Sequence, residues 1–376
     1  MKVKSVVATL MLSPFWVGNQ VVAQQVQDTL VSGEPKTLVE LAVAEMGYEK
    51  KQTSQSKSRV KGYLDSRYEN YTKIKSGETT DSRFRVQQSR VYIKGNYKEK
   101  VSFAMRYRLN ATTGTDALEF AFLDYKVNDR WTLSMGKQFV AWGAMEFSYN
   151  GSDQYMYTNM LGSMDLFAPG ASVTYHTQGQ SFKVQGVSLS EQYSAAAYQN
   201  KAYAGLFLWE GSLFGDRLKT RYSYGLVQHN GNRYYNWLML GHRVSWNKWM
   251  VELDWMYGYR NVKDDQLALM SAETSPYYVR DNTTTMSIRY KTKKFSPFIK
   301  LMYNHRNALQ VNSVYAQRGI MGALEYYPFS DLLLKDLRLF ATYSYINYDY
   351  KESIITPQAL DEQQLYIGVR WMVPLF

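Results

Sequence analysis

VSFAMRYRLN, residues 101–110, divides cleanly when its side chains alternate as they do along a β-strand: Val101, Phe103, Met105, Tyr107 and Leu109 fall on one face, Ser102, Ala104, Arg106, Arg108 and Asn110 on the other. WMVELDWMYGYR, residues 249–260, repeats the division. Trp249, Val251, Leu253, Trp255, Tyr257 and Tyr259 oppose Met250, Glu252, Asp254, Met256, Gly258 and Arg260. A helical period would scatter both sets around its surface. One apolar face and one charged face belong to a sheet that separates two unlike surroundings.

Working outward, sixteen such spans follow one another, from 60–72 and 84–97 at the start of the series to 337–350 and 363–376 at its end. Many reach ten residues or more, longer than the five or six usual in soluble sheets and suited to tilted strands that cross a bilayer. Short links, as after DYKVNDR and HTQGQS, alternate with long ones at 141–169, 191–200, 261–280 and 351–362. A soluble sandwich shares the alternation but not the strand length, nor the many apolar faces that begin or end in Tyr or Trp. The pattern therefore predicts an all-β chain, a transmembrane antiparallel β-barrel of about sixteen strands over residues 59–376, wide enough to hold water.

Composition agrees. The chain has 33 Tyr and 9 Trp, aromatics make up 15%, Pro is scarce at 8, and the mean hydropathy is −0.42. Residues 1–23 read as a secretory signal: Lys2 and Lys4, the apolar VVATLMLSPFWV, then Val21-Val22-Ala23 before Gln24. Beyond them no apolar run approaches the roughly 20 residues that a spanning helix needs. Residues 24–58 form a periplasmic or lumenal segment, with a short helix over Pro35–Gly47. With no Cys, disulfides and thiolate chemistry are excluded, and His176, His229, His242 and His305 show no metal-ligand spacing. Ser223 and His229 share a strand face but stand roughly 20 Å apart at strand rise, too far for a nucleophile and its base. No catalytic residue, metal or cofactor is assigned, and the expectation is a channel rather than an enzyme.

The longest link, MGKQFVAWGAMEFSYNGSDQYMYTNMLGSMDLFAPG at 135–170, leaves the fifth strand. Its Gly136, Gln138, Gly143 and Glu146 fit a strand carrying Gly-x-Gln that runs through a Gly and an acidic residue into a long loop. In this the chain resembles the phosphate-selective porin O and P family, especially the Bacteroidetes-type outer-membrane porins, with a weaker likeness in strand number and aromatic C-terminus over 60–376. The resemblance implies a homotrimer in the outer membrane of a Gram-negative bacterium. It further implies a loop after the fifth strand that folds inward, bringing Glu146, Asp153, Tyr155 and Asp165 to the constriction, and a basic wall that attracts anions such as phosphate. No Lys or Arg stands between Lys137 and Lys183, so the loop brings no cation of its own.

The wet faces supply the cations: Arg106, Arg108, Arg221, Arg243, Arg260, Arg289, Lys300 and Arg370. They are expected to line the pore, since Arg or Lys facing lipid costs about 2–4 kcal/mol at the bilayer midplane. Glu119, Glu252, Asp254 and Glu325 share those faces. Two readings stay open, a path for anions and a set of mutual ion pairs in a general diffusion pore. Tyr155, Met156, Tyr157 and Met160 offer either a surface for sugars or, the favoured reading, packing of the loop against the wall. Expected partners are outer-membrane lipid, the barrel-insertion machinery and small hydrophilic solutes or anions, with no nucleic acid. The alternative to a porin is a structural or partner-binding barrel with little conductance. In LYIGVRWMVPLF, residues 365–376, strict alternation puts Phe376 with Arg370, and a bulge at Pro374 would return its ring to the lipid side.

Overall fold

A strand with one apolar face still carries a row of N–H and C=O groups along each edge, and closing the sheet on itself leaves none unpaired. The chain does this with sixteen antiparallel strands, each bonded to its sequence neighbours and the last to the first. The structure, a computed structural model, describes residues 59–375 apart from 112–116, 190–201, 231–232, 262–277, 309–312, 331–333, 335 and 352–359. The expected signal at 1–23, the segment 24–58 and Phe376 lie outside the described residues.

The strands are β1 Arg59–Lys75, β2 Glu78–Tyr97, β3 Val101–Arg108, β4 Leu118–Lys126, β5 Trp131–Phe139, β6 Phe167–Thr177, β7 Gln180–Ser188 and β8 Tyr203–Leu213. They continue as β9 Leu218–Asn230, β10 Arg233–Trp246, β11 Trp249–Asn261, β12 Tyr278–Tyr290, β13 Phe295–Ala308, β14 Ser313–Tyr326, β15 Arg338–Lys351 and β16 Asp361–Pro374. Each coincides with one of the sixteen expected spans. β2 begins at Glu78 rather than at 84, because Ser76 and Gly77, both at positive φ, close a two-residue turn that lets the polar ETTDSR pair with β1. β6 likewise begins at Phe167 rather than 170, where its pairing with β5 starts.

Closure runs in unbroken register from Lys75 opposite Glu362 to Tyr63 opposite Pro374. The bulge expected at Pro374 is therefore absent. Pro374 ends its strand instead, the other position where a residue without an N–H is tolerated.

Alternation sorts the faces as the sequence predicts. On β3, Tyr107 is exposed while Ala104 and Arg106 are buried; on β11, Trp249 and Leu253 are exposed while Met250, Glu252, Asp254 and Met256 are buried. Links from even to odd strands are short: 98–100, 127–130, 178–179, 214–217, 247–248 and 291–294, with a longer one at 327–337. Several of these turns use positive φ, at Lys98, Glu99, Gly179, Asp216 and Asn247. Aromatic residues gather beside this end of the barrel, with rings in contact across strand pairs: Trp249 with Tyr290 at 4.8 Å and Phe295 with Tyr326 at 4.8 Å.

Candidate functional site

The link from β5 to β6, residues 140–166, departs from the sheet and binds it. Gly136, with φ at +128°, sits in a conformation that L side chains rarely adopt, and a Cβ there would stand 2.4 Å from the Ala121 carbonyl oxygen. Gln138 is buried, and its Oε1 accepts the Ser172 hydroxyl at 2.8 Å. Gly143 donates its N–H to Ser223 Oγ at 2.6 Å, and a side chain on it would meet the β9 and β10 backbones. Two short 3-10 turns, Glu146–Ser148 and Gly151–Asp153, precede a five-residue helix, α1, Asn159–Ser163. Thr158 caps α1, its Oγ1 accepting Leu161 N–H at 3.1 Å.

Burial of the segment is apolar on one side. Val140, Trp142, Phe147, Met160, Leu161 and Met164 pack against Leu206, Val227, Trp237, Met239 and Met256 from β8 to β11, with Trp142 and Trp237 rings 4.6 Å apart. Tyr155 and Met156 join a second cluster with Phe298, Met302, Met321 and Phe340. This accounts for the methionines on otherwise wet faces: pliable thioethers fill the irregular gap between segment and wall. Tyr155, Met156 and Met160 are buried and only Tyr157 is exposed, so the group packs the segment instead of forming one open aromatic surface.

Polar bonds hold the rest, and their partners come from strands all round the barrel. Asp254 on β11 accepts two segment amides, Met145 N–H at 2.6 Å and Glu146 N–H at 2.9 Å. Arg221 on β9 donates to the carbonyls of Ala144 at 3.2 Å and Trp142 at 3.0 Å, and pairs with Glu210. Lys300 on β13 meets Glu146 Oε1 and the Met156 carbonyl, each at 2.8 Å. Arg243 on β10 bonds Glu252 at 2.6 Å and the Tyr149 hydroxyl at 2.9 Å, while Tyr149 donates to Glu252. Arg370 on β16 lies 2.8 Å from Asp65 and 3.8 Å from Asp153. Tyr155 donates to Glu325 at 3.0 Å, and burial pushes its phenol up, so it keeps that proton. Asp165 gives its backbone carbonyl to the Trp142 indole N–H at 2.8 Å.

The remaining wall cations follow the same rule. Arg289 on β12 reaches Glu325 at 2.5 Å over the Phe298 ring. Arg106 and Arg108 both reach Glu119, at 2.6 Å and 2.9 Å. Arg260 lies in β11, and its side chain is not among those described. Among the described residues, no group of three or more His, Asp and Glu is arranged to hold a metal ion.

Four residues missed by the sequence reading complete the network. Arg90 on β2 is a third guanidinium on Glu119, at 2.8 Å. Asp65 accepts the Asn150 amide at 2.6 Å and the Ser152 hydroxyl at 2.9 Å. Arg67 donates to the Gln154 carbonyl at 2.8 Å beneath the Tyr155 ring, and Arg338 reaches Asp153 at 2.5 Å. The signal for the first strand was available, since Asp65, Arg67 and Glu69 recur at the two-residue period of one face. Arg338 stands as the first residue of its strand and carries no such pattern.

The sequence model for phosphate-selective porin O and P matches residues 59–290. No curated protein matches. Among solved structures, the trimer form of OmpT, an outer membrane protein of Vibrio cholerae, aligns with a TM-score of 0.59 at 12% identity, over 84% of this chain and all of that one. The anion-selective porin from Comamonas acidovorans gives 0.59 at 11%, with the same coverage. The outer membrane channel DcaP of Acinetobacter baumannii gives 0.60 at 12%, over 85% of this chain and 99% of its own.

Proposed function

The chain belongs to the phosphate-selective porin O and P family and is an outer-membrane channel; from that premise we propose a passive pore, in a Gram-negative bacterium, for small hydrophilic solutes with anions favoured over cations. Its polar face is the lumenal one, and residues 140–166 lie within the lumen and narrow it. Support for that placement comes from the segment's partners, which sit on β1, β9, β11, β13, β15 and β16 and all belong to the polar face. Solutes move down their own gradients, and no chemical step is assigned.

The observation that carries the anion preference is Glu119, a single carboxylate shared by Arg90, Arg106 and Arg108. Charge is uncompensated there, and the Arg108 side chain is 37% exposed, leaving guanidinium donors for a passing oxyanion. Several other wall cations each meet a carboxylate, as Arg243 does Glu252, Lys300 Glu146 and Arg306 Asp281, so attraction stays weak enough for release. A homotrimer accords with the trimer form described for the Vibrio cholerae protein of this fold.

Reversal potentials in a salt gradient across a planar bilayer test the proposal. Wild type is expected to favour the anion, and Arg108→Gln to move the permeability ratio toward the cation. An unchanged ratio would remove the Glu119 cluster from the selectivity mechanism. Folded protein that fails to conduct would instead point to a sealed barrel that binds a partner.

A further inference from the structure

The short-turn end of the barrel carries a charged patch that the pore does not use. Turns 247–248 and 291–294 carry Lys248, Lys291, Lys293 and Lys294, with no acidic residue on either turn. The two turns are tied, since Lys291 N–H donates to the Lys248 carbonyl at 2.7 Å; Lys294 in turn accepts Tyr327 N–H at 2.7 Å. Lys248, Lys293 and Lys294 are exposed. Among the described residues, none of these three forms an ion pair with a carboxylate. Like charges on turns joined at the backbone repel, and an anion bound between them relieves that repulsion.

The surface beside them is apolar. Trp246, Trp249 and Phe295 are exposed on the outer face, with Val244, Ile288 and Ile299 farther along the same strands. Trp and Tyr collect where hydrocarbon meets head groups. This aromatic row sets that level, and the lysines, a residue or two beyond it, fall at the depth of the phosphates.

We propose that the turns of β10–β11 and β12–β13 form a binding site for the phosphodiester of an anionic phospholipid, whose acyl chains lie along Val244, Ile288 and Ile299. The inference rests on the membrane reading above. Basic clusters next to an apolar membrane surface recruit anionic head groups in this way. A phospholipid is the occupant rather than free phosphate, because only a lipid also covers the exposed Trp246 and Trp249.

Native mass spectrometry of the full chain, folded in detergent with matched amounts of phosphatidylglycerol and phosphatidylcholine, reads the site directly. Wild type is expected to retain phosphatidylglycerol preferentially. The combined Lys248→Gln, Lys293→Gln and Lys294→Gln variant is expected to lose most of that retention with phosphatidylcholine unaffected, and the matching Lys→Arg variant to keep it. Heat-modifiable migration on gels confirms that each variant is folded. Equal retention of the two lipids, or no change in the Gln variant, overturns the site. So does displacement of the lipid by inorganic phosphate, or a crosslink showing a second copy of the chain over these turns. Conductance of the same samples keeps the two readings apart: a conducting barrel without lipid preference fails only this inference, and a lipid-binding barrel that never conducts fails only the pore.

Discussion

Glu325 shows what a single wall residue carries. Fully buried, it accepts from Arg289 at 2.5 Å and Tyr155 at 3.0 Å and lies 3.4 Å from Arg338. Removing one member of a buried ionic cluster leaves the others desolvated and uncompensated, at a cost of about 3–5 kcal/mol. Glu325→Ala should therefore lower the urea midpoint of the detergent-folded barrel markedly, and Glu325→Gln, which still accepts hydrogen bonds, should lower it less. Equal effects would show that the charge does not matter. Gly136 is constrained differently, by a positive φ and by a neighbouring backbone oxygen 2.4 Å from where a Cβ would stand. Gly136→Ala is expected to reduce the yield of folded barrel, read by the fraction that migrates as the compact form. Both residues were legible in sequence, one as a wet-face acid and one as part of a Gly-x-Gln motif. Their partners were not, since Arg338 and Tyr155 stand 13 and 170 residues from Glu325.

At the scale of the element, residues 140–166 behave as a strut clamped at many points. Amides bound to Asp254, carbonyls bound to Arg221 and Lys300, and Trp142 against Trp237 hold it along most of its length. Trp142→Ala deletes a fully buried indole, a class of change worth about 3–5 kcal/mol in a packed core. It should loosen the segment without opening the barrel. The expected readouts are noisier single-channel current and faster proteolysis within 140–166, with unchanged resistance of the strands; a quiet, protease-resistant variant would count against the strut. The sequence marked this stretch as the longest link and its aromatic and Met residues as packing. What it hid was the receiving surface, because Met239, Met256 and Met302 stand among polar neighbours on a wet face and nothing local shows what packs on them.

For the whole molecule the relevant quantity is the field of the lumen. Wall cations and carboxylates largely cancel in pairs, such as Arg243 with Glu252 and Arg306 with Asp281, and beyond the short distance between its two charges a matched pair contributes far less field than a lone charge does. Arg243→Gln alone should shift the permeability ratio toward cations, whereas Arg243→Gln with Glu252→Gln should restore it close to wild type. Reversal potentials of the three proteins check this, and a double variant shifted as far as the single one would mean that position, not charge, governs the effect. Sequence counting saw the cations as a basic wall and left their pairing open. Pairing depends on register and on which strands the segment touches, neither of which composition records.

Strand number, strand faces and the place of the long link were written in the sequence, because a two-residue period between lipid-facing and water-facing side chains is a local property of each strand. The closing register, the missing bulge at Pro374 and the sharing of Glu119 among three arginines were decided only by tertiary structure. The first two join the first and last strands across the closing seam, and the third is set by the register between β2, β3 and β4, which alternation along each strand does not specify. The same alternating strands are compatible with free or with compensated arginines. Strand pairing brought the carboxylates to them, across hairpins for Arg243 and Arg306 and across the closing seam for Arg370.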